Sequence, residues 1–203
     1  MCTTLIVPGL NGSGDGHWQH YWLQDDDRAR LVDQDNWQCP VLDDWMRRFE
    51  HALAETDHAY IVAHSLGCML VANMARRPLA KKIKGALLVA PAHLGRVEAL
   101  HPCIVSFGEA PADPLPFPSV VVGSTNDPYM DVGNLGQAAS GWGSDLVNLG
   151  SVGHINIASG FGRWQQGYGL LDRLVDPRDQ GRATVRTTMA RANETALRQH
   201  VAS

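Results

Sequence analysis

The feature of this sequence that most constrains its fold is a set of short apolar runs rich in Val, Ile and Leu. The runs do not alternate with polar residues, and turn-forming residues bound them, which is the pattern of strands buried on both faces of a sheet. Helical patterns lie between them, so the chain predicts β-α-β units and a mostly parallel sheet with helices on both faces. The fold class is therefore α/β, in three layers. The predicted strands lie within residues 3–9, 58–65, 85–91, 119–124 and 145–150.

Three segments have the apolar spacing of helices. In residues 43–55 the apolar side chains fall at i, i+4, i+7 and i+8, and Asp43 or Asp44 is placed to cap the first turn. Residues 66–77 and 161–175 are the other two helices that the sequence predicts. Each follows or precedes a predicted strand, as the α/β pattern requires.

Length and composition predict one domain with an appended tail. A chain of 203 residues fits a single core, which we place in residues 1–175. Residues 176–203 carry a thin apolar stripe in a polar background, so we expect a tail that is helical or partly disordered. Residues 92–118 are proline-rich and short for an inserted subdomain, which predicts little or no lid.

Charge, hydropathy and cysteine content argue against several classes of protein. The net charge of −4 gives no basic surface for nucleic acid. No apolar run approaches the roughly 18 residues of a membrane span, and no basic region precedes the apolar N-terminal residues, so we expect a cytoplasmic protein without a secretory signal. The 4 cysteines have no C-x-x-C spacing and are expected to be free thiols.

A serine stands where one predicted strand meets a predicted helix, in the sequence A-H-S-L-G. This context makes the G-x-S-x-G pattern meaningful, because a nucleophile on a tight strand-to-helix turn needs small flanking residues. Ala63 replaces the first glycine and Gly67 keeps the second. Ser65 is thus a candidate nucleophile near a helix N-terminus, whose free N–H groups can stabilise an oxyanion. The alternative, that Ser65 merely caps the helix, is equally open from these five residues alone.

A nucleophilic serine needs a base and an orienting carboxylate, and in this fold they follow in the order Ser, Asp or Glu, His. His154 follows the strand at 145–150 and is the candidate base, because His200 lies in the tail. Asp127 occupies the loop after the preceding strand and is the favoured acid. Asp131, which is expected to start a helix, and Asp145, which opens a strand, are the competitors.

The glycine-rich loop PGLNGSGDGHWQHYW can bring backbone N–H groups close to a substrate oxygen. The expected oxyanion donors are the N–H groups of Leu66 and of Leu10 or Asn11. The loop lacks the G-K-S/T ending of a phosphate-binding loop and the G-x-G-x-x-G of a dinucleotide fold. His17 and His20 with Asp15 have no third strong ligand beside them, so packing or pocket lining is favoured over a metal site.

Taken together, PGLNGSGDGHWQHYW, A-H-S-L-G, N-D-P-Y and G-H-I-N resemble the YdeN-like small serine hydrolases, the group that includes the retinoblastoma-binding-protein type. The likeness covers about residues 3–175. It implies a compact α/β-hydrolase-like fold without a large lid, in the cytoplasm and with no cofactor. It also implies that Ser65, Asp127 and His154 match the nucleophile, acid and base of the family.

These features predict a hydrolase that cleaves ester, thioester or small amide bonds of a small-molecule acyl substrate, with no metal, nucleic-acid or membrane partner. The rival interpretation is a non-catalytic binding protein on a hydrolase scaffold. The two differ in whether the serine is reactive. The side chains predicted to line the substrate pocket are Trp18, His64, Phe107 and Tyr129.

Overall fold

A parallel sheet is the middle layer of the protein. The structure is a computed structural model that describes residues 2–101, 106–109 and 111–176. Within these residues the sheet has six strands in the order β2-β1-β3-β4-β5-β6, and every neighbouring pair is parallel. The strands are β1 (Thr3–Val7), β2 (Ala29–Leu31), β3 (Ala59–His64), β4 (Ile83–Val89), β5 (Ser119–Gly123) and β6 (Asp145–Asn148).

Helices cover both faces of the sheet, which confirms the α/β class. Helices α2, α3, α4 and α5 contribute buried side chains to one apolar core, and α1 and α6 contribute to another on the opposite face. Side chains of β1 alternate between the two cores, with Leu5 and Val7 in the first and Ile6 in the second. The helices are α1 (Trp18–Asp25), α2 (Leu42–Ala54), α3 (Leu66–Met74), α4 (Leu94–Leu100), α5 (Val132–Trp142) and α6 (Gln165–Asp172).

The edges of the sheet depart from the sequence prediction. Strand β2 has three residues, two of them exposed, so it carries no apolar run that the sequence could reveal. Strand β6 was expected to be buried on both faces, but it is the other edge strand and Leu146 is 46% exposed. The central strand β3 is buried at all six positions, as its sequence predicts.

Two local predictions are corrected by the structure. Helix α2 begins at Leu42 with Val41 at the N-cap position, so Asp43 and Asp44 lie inside the first turn and do not cap it. Their charges still favour the helix N-terminus through the helix dipole. The prediction of free thiols is wrong for Cys39, which is disulfide-bonded.

Three further predictions concern a short lid, a C-terminal tail and the lack of a membrane span. Residues 92–118 contain α4, and an isolated bridge joins Ser106 to Val41. The predicted tail lies outside the described residues except for Asp176, whose N–H donates to the Tyr60 hydroxyl at 2.9 Å. In the described part of the chain, no helix is long and apolar enough to cross a membrane.

Candidate active site

Ser65 lies on a sharp turn between β3 and α3, with φ 55° and ψ −122°. A non-glycine residue at positive φ is uncommon and persists only where its surroundings hold it in place. Although Ser65 occupies the N-cap position, its side chain makes no capping hydrogen bond. Its Oγ lies 2.8 Å from Nε2 of His154. The alternative that Ser65 serves as a helix cap is therefore wrong.

The small residues around the turn are required by close backbone contacts. A Cβ on Gly67 would lie 2.6 Å from the carbonyl oxygen of Pro8 and closer still to that of Val7. A Cβ on Gly9 would lie 2.8 Å from the Cβ of Ser65. The backbone of the loop after β1 thus packs directly on the turn that carries Ser65.

His154 follows β6, and its ring lies between Ser65 and Asp127. Its Nδ1 is 2.8 Å from Oδ2 and 3.0 Å from Oδ1 of Asp127. The side chains of His154 and Asp127 are only 7% and 2% exposed. Because Nδ1 faces a carboxylate, it carries the hydrogen in the neutral ring, and Nε2 is free to accept from the Ser65 hydroxyl.

Hydrogen bonds join the loop of Asp127 to the loop of His154. The Asn126 side-chain oxygen accepts from the Gly153 N–H at 2.7 Å, and the Ser124 hydroxyl accepts from the Val152 N–H at 3.0 Å. These bonds fix the positions of the two loops relative to each other. Asp127 is itself oriented by the Tyr129 N–H, which donates to Oδ1 at 2.8 Å.

The two competing carboxylates lie elsewhere. Asp131 is the N-cap of α5, as the sequence predicted, and accepts from the Asn134 N–H at 2.9 Å. Asp145 is exposed at the first residue of β6, so it is at the amino end of that strand, away from His154. Of the three candidates, only Asp127 contacts the histidine.

Two backbone N–H groups are available beside Ser65 for an oxyanion. Leu66 is the first residue of α3, so its N–H has no acceptor within the helix. The Leu10 N–H makes no hydrogen bond with any of the residues described. The Asn11 N–H, in contrast, donates to the Trp37 carbonyl at 2.8 Å. Leu66 and Leu10 therefore remain as predicted donors, and Asn11 does not.

Of the side chains predicted to line the pocket, only Tyr129 borders the site as expected. Its half-buried ring lies 4.5 Å from the His154 ring. Trp18 is fully buried and Phe107 is 1% exposed, so both are core side chains and not pocket walls. His64 is 5% exposed and lies beneath the site. A single sequence does not distinguish an aromatic core residue from an aromatic pocket residue.

Three imidazoles lie in a row behind the serine. The ring of His64 is 4.9 Å from that of His154 and 4.9 Å from that of His17. Burial, and then the nearby His154, lower the pKa of His17 to about 4. Burial, followed by the nearby His154 and His17, holds the pKa of His64 well below its usual range. Both rings are therefore neutral at pH 7.

The possible metal ligands near the glycine-rich loop make ordinary protein contacts. His17 is the N-cap of α1, and its Nδ1 accepts from the Gln19 N–H at 3.2 Å. Nε2 of His20 lies 3.3 Å from Oδ1 of Asp15. Among the residues that the structure describes, no group of three His, Cys, Asp or Glu side chains could hold a metal ion.

Comparison with known proteins identifies the family. A sequence model described as serine hydrolase matches residues 4–173. The chain belongs to the serine hydrolase family. This serine hydrolase is similar to a YdeN-like hydrolase from Pectobacterium atrosepticum at 30% identity, with a TM-score of 0.76 over 87% of this chain and 94% of that one. The ydeN gene product of B. subtilis is 21% identical, with a TM-score of 0.67 over 86% and 98% of the two chains.

A more distant solved structure, Est816, is described as an N-acyl homoserine lactone degrading enzyme. It is 14% identical, with a TM-score of 0.63 over 86% of this chain and 93% of that one, and this likeness concerns the fold alone. No curated protein matches the sequence. The predicted resemblance is confirmed, since the chain is a YdeN-like serine hydrolase with the α/β-hydrolase fold.

Proposed function

We propose that this serine hydrolase cleaves ester, thioester or small amide bonds of small acyl compounds through an acyl-enzyme on Ser65. The observation that carries the proposal is the chain of contacts from Ser65 Oγ to His154 Nε2 at 2.8 Å and from His154 Nδ1 to Asp127 Oδ2 at 2.8 Å. A serine hydroxyl attacks at neutral pH only when an adjacent base removes its proton. In this arrangement His154 is the base and Asp127 orients it.

The reaction proceeds in two halves. Ser65 Oγ attacks the acyl carbon while His154 Nε2 takes its proton, and the tetrahedral oxyanion accepts hydrogen bonds from the N–H groups of Leu66 and Leu10. His154 then returns the proton to the leaving group, which departs and leaves an acyl-serine. In the second half, His154 takes a proton from water, which attacks the acyl carbon, and then returns that proton to Ser65 Oγ as the bond to the acyl group breaks and the acid leaves. Asp127 stabilises the imidazolium that forms in each half.

No cofactor takes part in the proposed chemistry, because His154 accepts and returns the transferred proton in both halves. Tyr129 borders His154 and is the remaining candidate for contact with substrate. The cytoplasmic location and the absence of nucleic-acid partners stay predictions from the sequence.

Labelling with a fluorophosphonate tests the proposal, since this probe reacts with activated serines. We expect one adduct on Ser65, located by mass spectrometry, which is absent in Ser65→Ala and greatly slowed in His154→Ala. Ser140→Ala is the matched control, because Ser140 is exposed on α5 and should not affect labelling. A folded wild-type protein that never labels would contradict the proposed role of Ser65 and favour the rival interpretation of a binding protein.

A further inference from the structure

Two buried side chains outside the proposed triad bind consecutive backbone carbonyls at His154. Nε2 of His64 lies 3.0 Å from the His154 carbonyl oxygen, and Nε1 of Trp18 donates to the Ile155 carbonyl at 2.9 Å. A carbonyl only accepts, so the hydrogen of the neutral His64 ring is on Nε2. Both donors are removed from water, with Trp18 0% and His64 5% exposed. Solvent therefore cannot replace either bond.

The backbone that they hold is in an unusual conformation. Ile155 has φ 49° and is fully buried, and a β-branched residue rarely adopts this left-handed region. Such a conformation persists only where neighbouring groups impose it. On the other side of the ring-bearing residue, the His154 N–H donates to the Ser159 hydroxyl at 2.9 Å. The peptide groups on both sides of the His154 side chain are thus fixed.

We propose that His64 and Trp18 are positioning residues that hold the 154–155 backbone, so that the His154 ring lies between Ser65 and Asp127. This inference rests on the proposed function of His154 as the base. The ring reaches both partners at 2.8 Å, and small displacements of a reacting group cost much of the rate. Without its two donors, the 154–155 segment would relax toward unstrained backbone angles and carry the ring with it.

The neutral state of His64 suits this role. Burial is the main reason that its pKa lies well below the usual range, so its ring stays uncharged when the neighbouring His154 takes the serine proton. A cation only 4.9 Å from the His154 ring would oppose that step. His64 therefore donates a hydrogen bond to the histidine loop without adding a charge beside it.

Four variants separate positioning from general stability. His64→Leu keeps the approximate volume and removes the donor, whereas in His64→Gln the amide nitrogen takes the place of Nε2. Trp18→Phe removes the other donor. Trp142→Phe is its matched control, because the Trp142 indole donates to the Pro111 carbonyl at 2.7 Å in a 2% exposed position at the end of α5, away from the serine.

We expect loss of either donor to lower kcat and to leave KM nearly unchanged. In His64→Leu, kcat for a short-chain ester should fall about 10- to 100-fold with KM within about threefold, because the lost geometry acts in the transition state. His64→Gln should recover kcat to within about fivefold of the wild type, and Trp18→Phe should lose about tenfold. Trp142→Phe should stay within about twofold. Circular dichroism verifies that each variant is folded.

A measurement without turnover completes the test. The proton between His154 Nδ1 and Asp127 should give a low-field proton NMR signal in the wild type, and this signal should shift or broaden in His64→Leu and Trp18→Phe. It should return in His64→Gln and be unchanged in Trp142→Phe. Unchanged kcat and an unchanged signal in folded His64→Leu would overturn the positioning role. If that variant does not fold, Trp18→Phe decides by the same two measurements.

The two proposals fail in different ways. A wild-type protein that does not label at Ser65, but whose NMR signal is lost in His64→Leu, would contradict the catalytic proposal and support the positioning of the ring. A wild-type protein that labels and turns over, with kcat and signal insensitive to His64 and Trp18, would support catalysis and overturn the positioning role.

Discussion

At the scale of single residues, the environment of each carboxylate decides what it can do. Asp127 is buried, contacts the Nδ1 of His154 and accepts one backbone N–H. Asp131 is solvent-accessible at a helix cap, where a backbone N–H hydrogen bond lowers its pKa. The two residues are four positions apart in the sequence, yet only Asp127 contacts His154, as the proposed orienting acid must.

We predict that Asp127→Asn lowers kcat by roughly two to four orders of magnitude with little change in KM, since an amide can hold the wrong tautomer and the lost interaction strengthens in the transition state. Asp131→Asn is the matched control and should change kcat less than about tenfold, because asparagine is also a good N-cap. Hydrolysis of one short-chain ester at about pH 7.5 compares the variants. A crippled Asp131→Asn beside an active Asp127→Asn would show that the acid is assigned wrongly.

At the scale of elements, the site is built where parallel strands end. The carboxyl ends of parallel strands lie at the same edge of a sheet, so the loops after β1, β3, β5 and β6 meet there. The loop after β1 contributes the N–H group of Leu10. The loops after β3, β5 and β6 contribute the side chains of Ser65, Asp127 and His154, respectively. The approach of the loop after β1 to the start of α3 depends on Gly67, which has no side chain to separate them.

Gly67→Ala should therefore destabilise the protein by at least about 2 kcal/mol, because the new methyl group would meet backbone oxygens that cannot move independently. Gly136→Ala is the control within α5, where a Cβ would meet nothing within 4 Å. It should stabilise by about 0.5 to 1 kcal/mol through helix propensity. Urea unfolding of both variants measures the difference. Equal unfolding midpoints would contradict the close contact inferred at Gly67.

At the scale of the whole molecule, the sheet separates two cores, and one of them contains buried histidines. His17 lies where α1 enters the second core, beside Trp18 and His64. Its pKa in the folded protein is about 4, below the usual value of 6.5 for a free imidazole. The unfolded chain therefore binds a proton that the folded protein does not, between these two pH values. The contribution of His17 to the free energy of unfolding is fully present above pH 6.5 and is lost as the pH falls toward 4.

We predict that the free energy of unfolding falls by roughly 2 to 3 kcal/mol from His17 alone between pH 7 and pH 4.5. His17→Asn should remove this part of the pH dependence, because asparagine cannot titrate there and still offers an oxygen to cap α1. Urea unfolding of both proteins at the two pH values gives the measurement. The same pH dependence in the variant and the wild type would contradict the assignment to His17.

Local patterns of the sequence determined most of the fold. Unbroken Val, Ile and Leu runs mark buried strands because a parallel strand covered on both faces has no polar side, and this holds for β1, β3, β4 and β5. The order Ser, Asp, His along the chain, together with the position of each residue at or shortly after the end of a predicted strand, favoured the three residues that the structure brings into contact. The short edge strand β2 escaped prediction, because three residues with two exposed side chains give no periodic signal.

Only the tertiary structure decided which hydrogen-bonding groups have a partner and which side chains are buried. The Asn11 N–H binds the carbonyl of Trp37, and His64 binds a carbonyl 90 positions away along the chain. Trp18 and Phe107 became core residues because of what packs around them and not because of their own neighbours in sequence. Side-chain periodicity is set by nearest neighbours along the chain, whereas hydrogen-bond partners and burial are set by segments that meet only when the chain folds.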